Sequence, residues 1–322
     1  MPGSYAHITS VNEAGEKRRL LGIEGFPREA IDAANLHLKF LELGCISPDY
    51  PYLDIISSDS KSWADAMHYT HTCRAIYAGA DLVRALPSGI AKDKCIAWHM
   101  GYTAHVIADM CVHPIIELKV GPYEGHETPH RRCEMHQDAY IFRRIGTSMP
   151  QTADHIKATI LKCGSSEDPK KLDPDVKGLW EKVLKTVHPT LFVDDPPDMN
   201  KWHRRCYDIL EKLLPTTSRF VGFARHVCNG LGFDYPTPDE IDRAEYIDNL
   251  KVPAPNGVDK RMHYDDIFDL AIGRIQQVWL NVTRYVLGYG DPIAFSEEDE
   301  WDLDTGRNKL AQDQKFVFWD VA

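Results

Sequence analysis

Residues 99–116 read HMGYTAHVIADMCVHPII, and the fold class turns on this stretch. With Ile96, Ala97 and Trp98 ahead of it, the apolar residues Met100, Tyr102, Val106, Ile107 and Met110 fall on most sides of a helix. A helix that is apolar nearly all round belongs inside a protein, with other helices against it. A buried helix over 92 to about 112 is therefore predicted, and with it an all-α fold. Polar residues interrupt the pattern in a regular way. His105, Asp109 and His113 follow one another at intervals of four. Positions four apart share one helix face, so three ligand-type side chains would line a single face of a buried helix.

Working outward, Thr128-Pro129 has the form of an N-cap and a first-turn proline. It opens a predicted helix to about 144, on which His130 and Glu134 repeat the four-residue spacing and Asp138 extends it. Two successive helices facing each other with these residues could hold metal between them. Upstream, Pro27 and the apolar stripe to Gly44 predict a helix over 28–43. Another is predicted over 63–86, closed by Pro87-Ser88-Gly89. Downstream, helices are expected over 151–163, 177–187, 199–230 with a break at Pro215, and 262–288. Connections run over 164–175, 189–198 and 234–260. The best strand candidate is Lys315-Phe316-Val317-Phe318-Trp319. No repeat or linker divides the chain, so one helical domain over 1–322 is expected, with a metal-ligand part at 1–145 and a helical part at 146–322.

At 322 residues and 43% hydrophobic composition, the core can form without staples, so a bound metal is expected to serve chemistry. The formal net charge of −11 disfavours a nucleic-acid binder, which needs a basic face. The clusters Lys17-Arg18-Arg19 and Arg131-Arg132 are too short to supply one. No apolar signal segment opens the chain and no apolar run reaches transmembrane length. A cytoplasmic location is expected, with export by another route left open. The eight cysteines are widely spaced and form no CxxC, so they are expected to be reduced core thiols.

Imidazoles and carboxylates without thiolates suit zinc, with manganese and non-haem iron next. A carboxylate flanked by histidines, as Asp109 is, could bridge two ions. Five such residues buried on two helices without a cation would be costly.

The 99–116 stretch together with GHETPHRRCEMHQD at 125–138 resembles the zinc-dependent phospholipase C family, which shares a superfamily with fungal single-strand nucleases. Three earlier segments fit in the same order: SYAHIT with His7, GCISPDYPYLD with Asp49, and WADAMHYTHT with His68. Asp54 is the alternative to Asp49. The resemblance implies an all-helical bundle and two or three zinc ions. One ion would use Asp49, His68, His105 and Asp109. A second would use His113, His130 and Glu134. A third would use His7, with Asp109 as the bridge. Beyond 145 the resemblance narrows to helical character and the WDLDTG segment at 301–306.

The function so implied is hydrolysis of a phosphodiester by a zinc-activated water, with Asp49 as ligand, general base or both. The substrate would be a phosphodiester or another small molecule, phospholipid included. Two other functions are carried forward: a biosynthetic hydrolase or lyase of the same fold acting on a non-lipid molecule, and a non-catalytic metal-binding protein. His71 and His126 are candidates for supporting roles around the ligands. His37, His99 and Cys111 are expected to be structural. The tyrosine-containing turns at 50–53 and 121–123 are the candidates for an interfacial surface.

Overall fold

The computed structural model describes residues 3–54, 58–145, 155, 158–213, 235–254, 258–290, 292–311 and 315–319. The chain is all-α, with two small strand pairs among the described residues. Its centre is α7 (Ile90–Val120), a helix of 31 residues whose side chains are buried from Cys95 to Ile116. Around it stand α1 (Ser4–Ala14), α3 (Arg28–Leu36), α4 (Leu38–Ile46), α5 (Ser58–Tyr69), α6 (Thr72–Arg84) and α8 (Glu127–Ile141), with the short α2 (Lys17–Leu21) between α1 and α3.

Sequence and structure part company at several helix ends, each for a local reason. The predicted 28–43 helix is two helices broken at His37, and it runs on past Gly44. Gly44 is not a stop. It meets Gly101 where α4 crosses α7, and a Cβ on either glycine would collide with the backbone of the other helix. This is the close approach that only glycine permits. The predicted 63–86 helix also splits, at a corner where His71 takes a left-handed φ of 55°. Glu300 holds that corner, its carboxylate accepting from the His71 backbone N–H at 2.7 Å and lying 2.6 Å from ring Nδ1. Helix α7 continues through Pro114 to Val120, whereas the sequence pattern predicts an end near Val112. Helix α8 begins at Glu127, with His126 as N-cap instead of Thr128.

Beyond α8, residues 151–154, 156 and 157 of the expected 151–163 helix lie outside the described residues; His155 and Ala158 are helical, and a 3-10 turn covers Ile160–Cys163. Helix α9 (Pro174–Val187) is capped by Asp173, whose side chain accepts from Asp175 and Val176 N–H, with Pro174 at its first position. The expected connections at 189–198 and 234–260 contain the short α10 (Pro189–Asp194) and α12 (Arg243–Tyr246). Helix α11 (Met199–Leu213) opens the region 199–230, and Pro215 and Cys228 lie outside the described residues. Helix α13 (Tyr264–Val286) packs on α7 and buries Ile267, Ala271, Ile275, Trp279 and Val282, the spacing of one apolar stripe. Trp279 Nε1 donates to Met100 O at 2.7 Å, which satisfies a polar group that would otherwise be stranded.

The strand expected at 315–319 is instead a turn with one bridge from Phe316 to Arg307. The strands that form are β1 (Leu250–Val252) with β2 (Lys260–Met262), and β3 (Trp301–Asp302) with β4 (Arg307–Asn308), both antiparallel. The seven described cysteines are free and buried. No described helix is long and apolar enough to cross a membrane.

Candidate metal centre

Four elements converge beside the middle of α7. Helix α1 brings His7, the 3-10 turn Ser47–Leu53 brings Asp49, α5 brings His68, and α7 brings His105 and Asp109. None of the five is more than 1% exposed. Their ligand atoms form two overlapping triads, His7 with His105 and Asp109, and Asp49 with His68 and His105, each within 4.8 Å. The Nε2 atoms of His68 and His105 point at each other 3.2 Å apart. Two nitrogens on one tetrahedral zinc would stand about 3.3 Å apart, given zinc–nitrogen bonds of about 2.05 Å.

Asp109 divides the cluster. Its Oδ2 lies 3.3 Å from His105 Nε2 and 4.0 Å from His68 Nε2. Its Oδ1 lies 3.2 Å from His7 Nε2 and 4.0 Å from His113 Nε2. Asp49 Oδ1 is 3.5 Å from His68 Nε2. Both oxygens of Asp49 and of Asp109, both ring nitrogens of His7 and Nε2 of His113 have no hydrogen-bond partner among the described residues. Buried polar atoms are rarely left so, and this set of oxygen and nitrogen donors without thiolates fits zinc.

The backbone prepares two of the rings. His105 Nδ1 faces Cys45 O at 2.8 Å, and His68 Nδ1 faces Ala64 O at 2.7 Å. A ring nitrogen that faces a carbonyl must donate, so the proton sits on Nδ1 and Nε2 keeps its lone pair for a metal. Burial alone would raise the Asp49 and Asp109 carboxyls, but the surrounding histidines hold both below the usual carboxylate range. Burial, helped by His105, lowers His7 to about 4, so its ring is neutral near pH 7. Burial would also lower His105, but Asp109 and Asp49 carry it above the ordinary histidine value.

His113, His130 and Glu134 lie farther along. All are buried, yet they form no triad within 4.8 Å among the described residues. His130 Nε2 faces Gly121 O at 2.6 Å, which leaves Nδ1 as its ligand atom. Burial lowers His130 to about 4 against the pull of Glu134.

Asp54 is committed elsewhere. Lys201 Nζ at 2.5 Å, Arg205 Nε at 3.4 Å and Ser60 Oγ at 2.8 Å surround its carboxylate. Asp138 caps α1 from across the molecule, accepting from Ala6 N at 3.0 Å and Tyr5 N at 3.4 Å, with Tyr235 OH at 2.9 Å. Burial pushes its carboxyl up to about 7. Gly3 leaves room for it, since a Cβ there would overlap the carboxylate. Asp138 thereby sets the start of the helix that carries His7. His99 packs under Gly79, and His126 stands at the N-cap position of α8 without a side-chain cap hydrogen bond. Of the two candidate interfacial turns, Tyr50, Pro51, Tyr52 and Leu53 are buried, whereas Pro122 is exposed. Asp304, which sequence spacing did not single out, lies with Oδ1 3.4 Å from His113 Nδ1. Its only sequence signal was its place in the 301–306 segment.

A family model described as zinc dependent phospholipase C matches residues 6–190, more than half of the chain. No curated protein and no solved structure matches.

Proposed function

The chain belongs to the zinc-dependent phospholipase C family, and from that premise we propose that it hydrolyses a phosphodiester at a centre of two or three zinc ions. Its ligands are His7, Asp49, His68, His105, Asp109, His113, His130 and Glu134. The carrying observation is Asp109, whose two buried oxygens face His105 and His68 on one side and His7 and His113 on the other. That is the disposition a bridging carboxylate requires, and paired metals suit in-line displacement at phosphorus.

Bound zinc would supply a water of lowered pKa and neutralise charge on the phosphoryl oxygens. The chain's own groups do the remainder. Neutral His7 and His130 offer lone pairs without first losing a proton. The carbonyls of Cys45 and Ala64 fix the tautomers of His105 and His68. Asp49, held as a carboxylate by its histidine neighbours, is able to ligate or to take a proton. The substrate class is a phospholipid or a related small phosphodiester.

The test joins metal content to turnover. Wild-type protein is expected to carry two to three zinc ions per chain by mass spectrometry, and to release a phosphorylated headgroup from short-chain phosphatidylcholine. Chelation should abolish the release and zinc restore it. Folded protein that takes up no zinc from replete medium would sink the proposal. Zinc-loaded protein inert on a panel of phosphodiesters would favour a metalloenzyme acting on another small molecule.

A further inference from the structure

We propose that Asp304, on the C-terminal hairpin far outside the matched residues 6–190, is a positioning residue of the metal centre that orients His113. The inference rests on the reading of His113 as a ligand and extends it to a residue that the ligand pattern does not include.

Three of the histidines have a partner on one ring nitrogen. For His68, His105 and His130 it is a backbone carbonyl. For His113 it is a carboxylate. Asp304 Oδ1 lies 3.4 Å from Nδ1, while Nε2 is buried without a hydrogen-bond partner, 4.0 Å from Asp109 Oδ1. A carboxylate beside Nδ1 favours the tautomer with the proton there, presents the Nε2 lone pair to the cluster and makes it more basic.

The hairpin is built to hold that carboxylate in place. Tyr69 OH, one residue beyond His68, donates to Asp304 Oδ2 at 3.0 Å. Asp302 Oδ1 accepts from Asp304 N at 3.0 Å and Thr305 N at 3.1 Å, which fixes the turn. Gly306, at φ +69°, fits against Pro114 and Met110 O, where a Cβ would collide. Pro114 has no N–H to give to Met110 O, so the hairpin docks at the break in the helix ladder one residue past His113. Trp319 Nε1 to Cys111 O at 3.0 Å and Thr72 Oγ1 to Trp301 O at 3.0 Å close the attachment on either side.

The experiment is a zinc competition titration on full-length protein against a chromophoric chelator, with the melting temperature of the metal-free form read in parallel. Asp304→Ala is expected to weaken one zinc by about 10- to 100-fold, the usual cost of losing such a partner, with the remaining zinc unchanged. Asp304→Asn keeps an acceptor oxygen but not the charge, and is expected to fall between Ala and wild type. Glu300→Gln removes the charge from the hairpin's hold on His71 without touching Asp304, and should bind zinc as wild type does. Undiminished affinity in Asp304→Ala overturns the inference, as does an equal loss in Glu300→Gln. If Asp304→Ala does not fold, Asp304→Asn decides alone, and wild-type affinity there overturns it. A wild-type protein that binds no zinc overturns the proposed function itself, which is a separate result.

Discussion

The two halves of the proposed centre are held in different ways. On the deep side, His7, Asp49, His68, His105 and Asp109 come from four elements and already converge. The crossing of α4 and α7 through Gly44 and Gly101 brings Cys45 O onto His105 Nδ1. On the α8 side, His113, His130 and Glu134 are buried but stand apart. The chain between α7 and α8 carries two positive-φ glycines, Gly121 and Gly125, and Gly121 supplies the carbonyl that orients His130. Packing has already gathered the first set, whereas by our proposal the second depends on a loop and on the distant hairpin. A prearranged site spends less of its binding energy on ordering its ligands. The deep half should therefore hold its metal more tightly.

The severest way to break this comparison is Asp109→Asn. The amide keeps the shape but loses the charge that faces four imidazoles. Zinc on the deep side should be lost, and turnover should fall by at least about 10²-fold, the scale seen when a group that stabilises charge is removed. His130→Ala should take zinc only from the α8 side. Mass spectrometry of the two variants tests the division, and equal losses in both would erase it.

Gly101→Ala acts first on packing. The new Cβ meets the Leu41 carbonyl and the Cys45 N–H of α4, and relief requires the two helices to part. A loss of about 1–3 kcal/mol is expected, measured by urea unfolding of the metal-free protein. Cys45 O would move off His105 with α4, so deep-side affinity should weaken as well. Normal stability would mean that the crossing is looser than it looks.

How much of this was legible in sequence follows from the same physics. The spacing of His105, Asp109 and His113 was readable because one helix face carries all three. The burial of α7 was readable because apolar residues surround it. Asp49 and Asp54 could not be separated by spacing, since the difference lies in Lys201 and Arg205 approaching Asp54 from α11. Gly44 resembled a helix stop because its reason, a neighbouring helix pressed against it, is not local. Asp304 was hidden for the same cause, since its meaning depends on a docking site 191 residues away. Local periodicity reveals faces; partners brought together by tertiary packing stay silent until the fold is known.

The gentlest probe of the comparison is pH. Zinc binds only an unprotonated imidazole, so a ligand that carries a proton in the metal-free protein makes affinity depend on pH. The proposed ligand His105 is of this kind, because Asp109 and Asp49 outweigh burial and raise its pKa. As pH falls below that raised value, deep-side affinity should drop, with the one proton displaced from His105 contributing about tenfold per unit. Above it the dependence should flatten. His7 and His130 protonate only near 4, so neither adds to the slope above about pH 5. The two halves should thus separate in chelator titrations between pH 5.5 and 8 on His130→Ala, which retains only the deep side, and on wild type. A flat profile in His130→Ala would mean that His105 is already neutral there, and that its two carboxylate neighbours are themselves neutralised by something other than its proton.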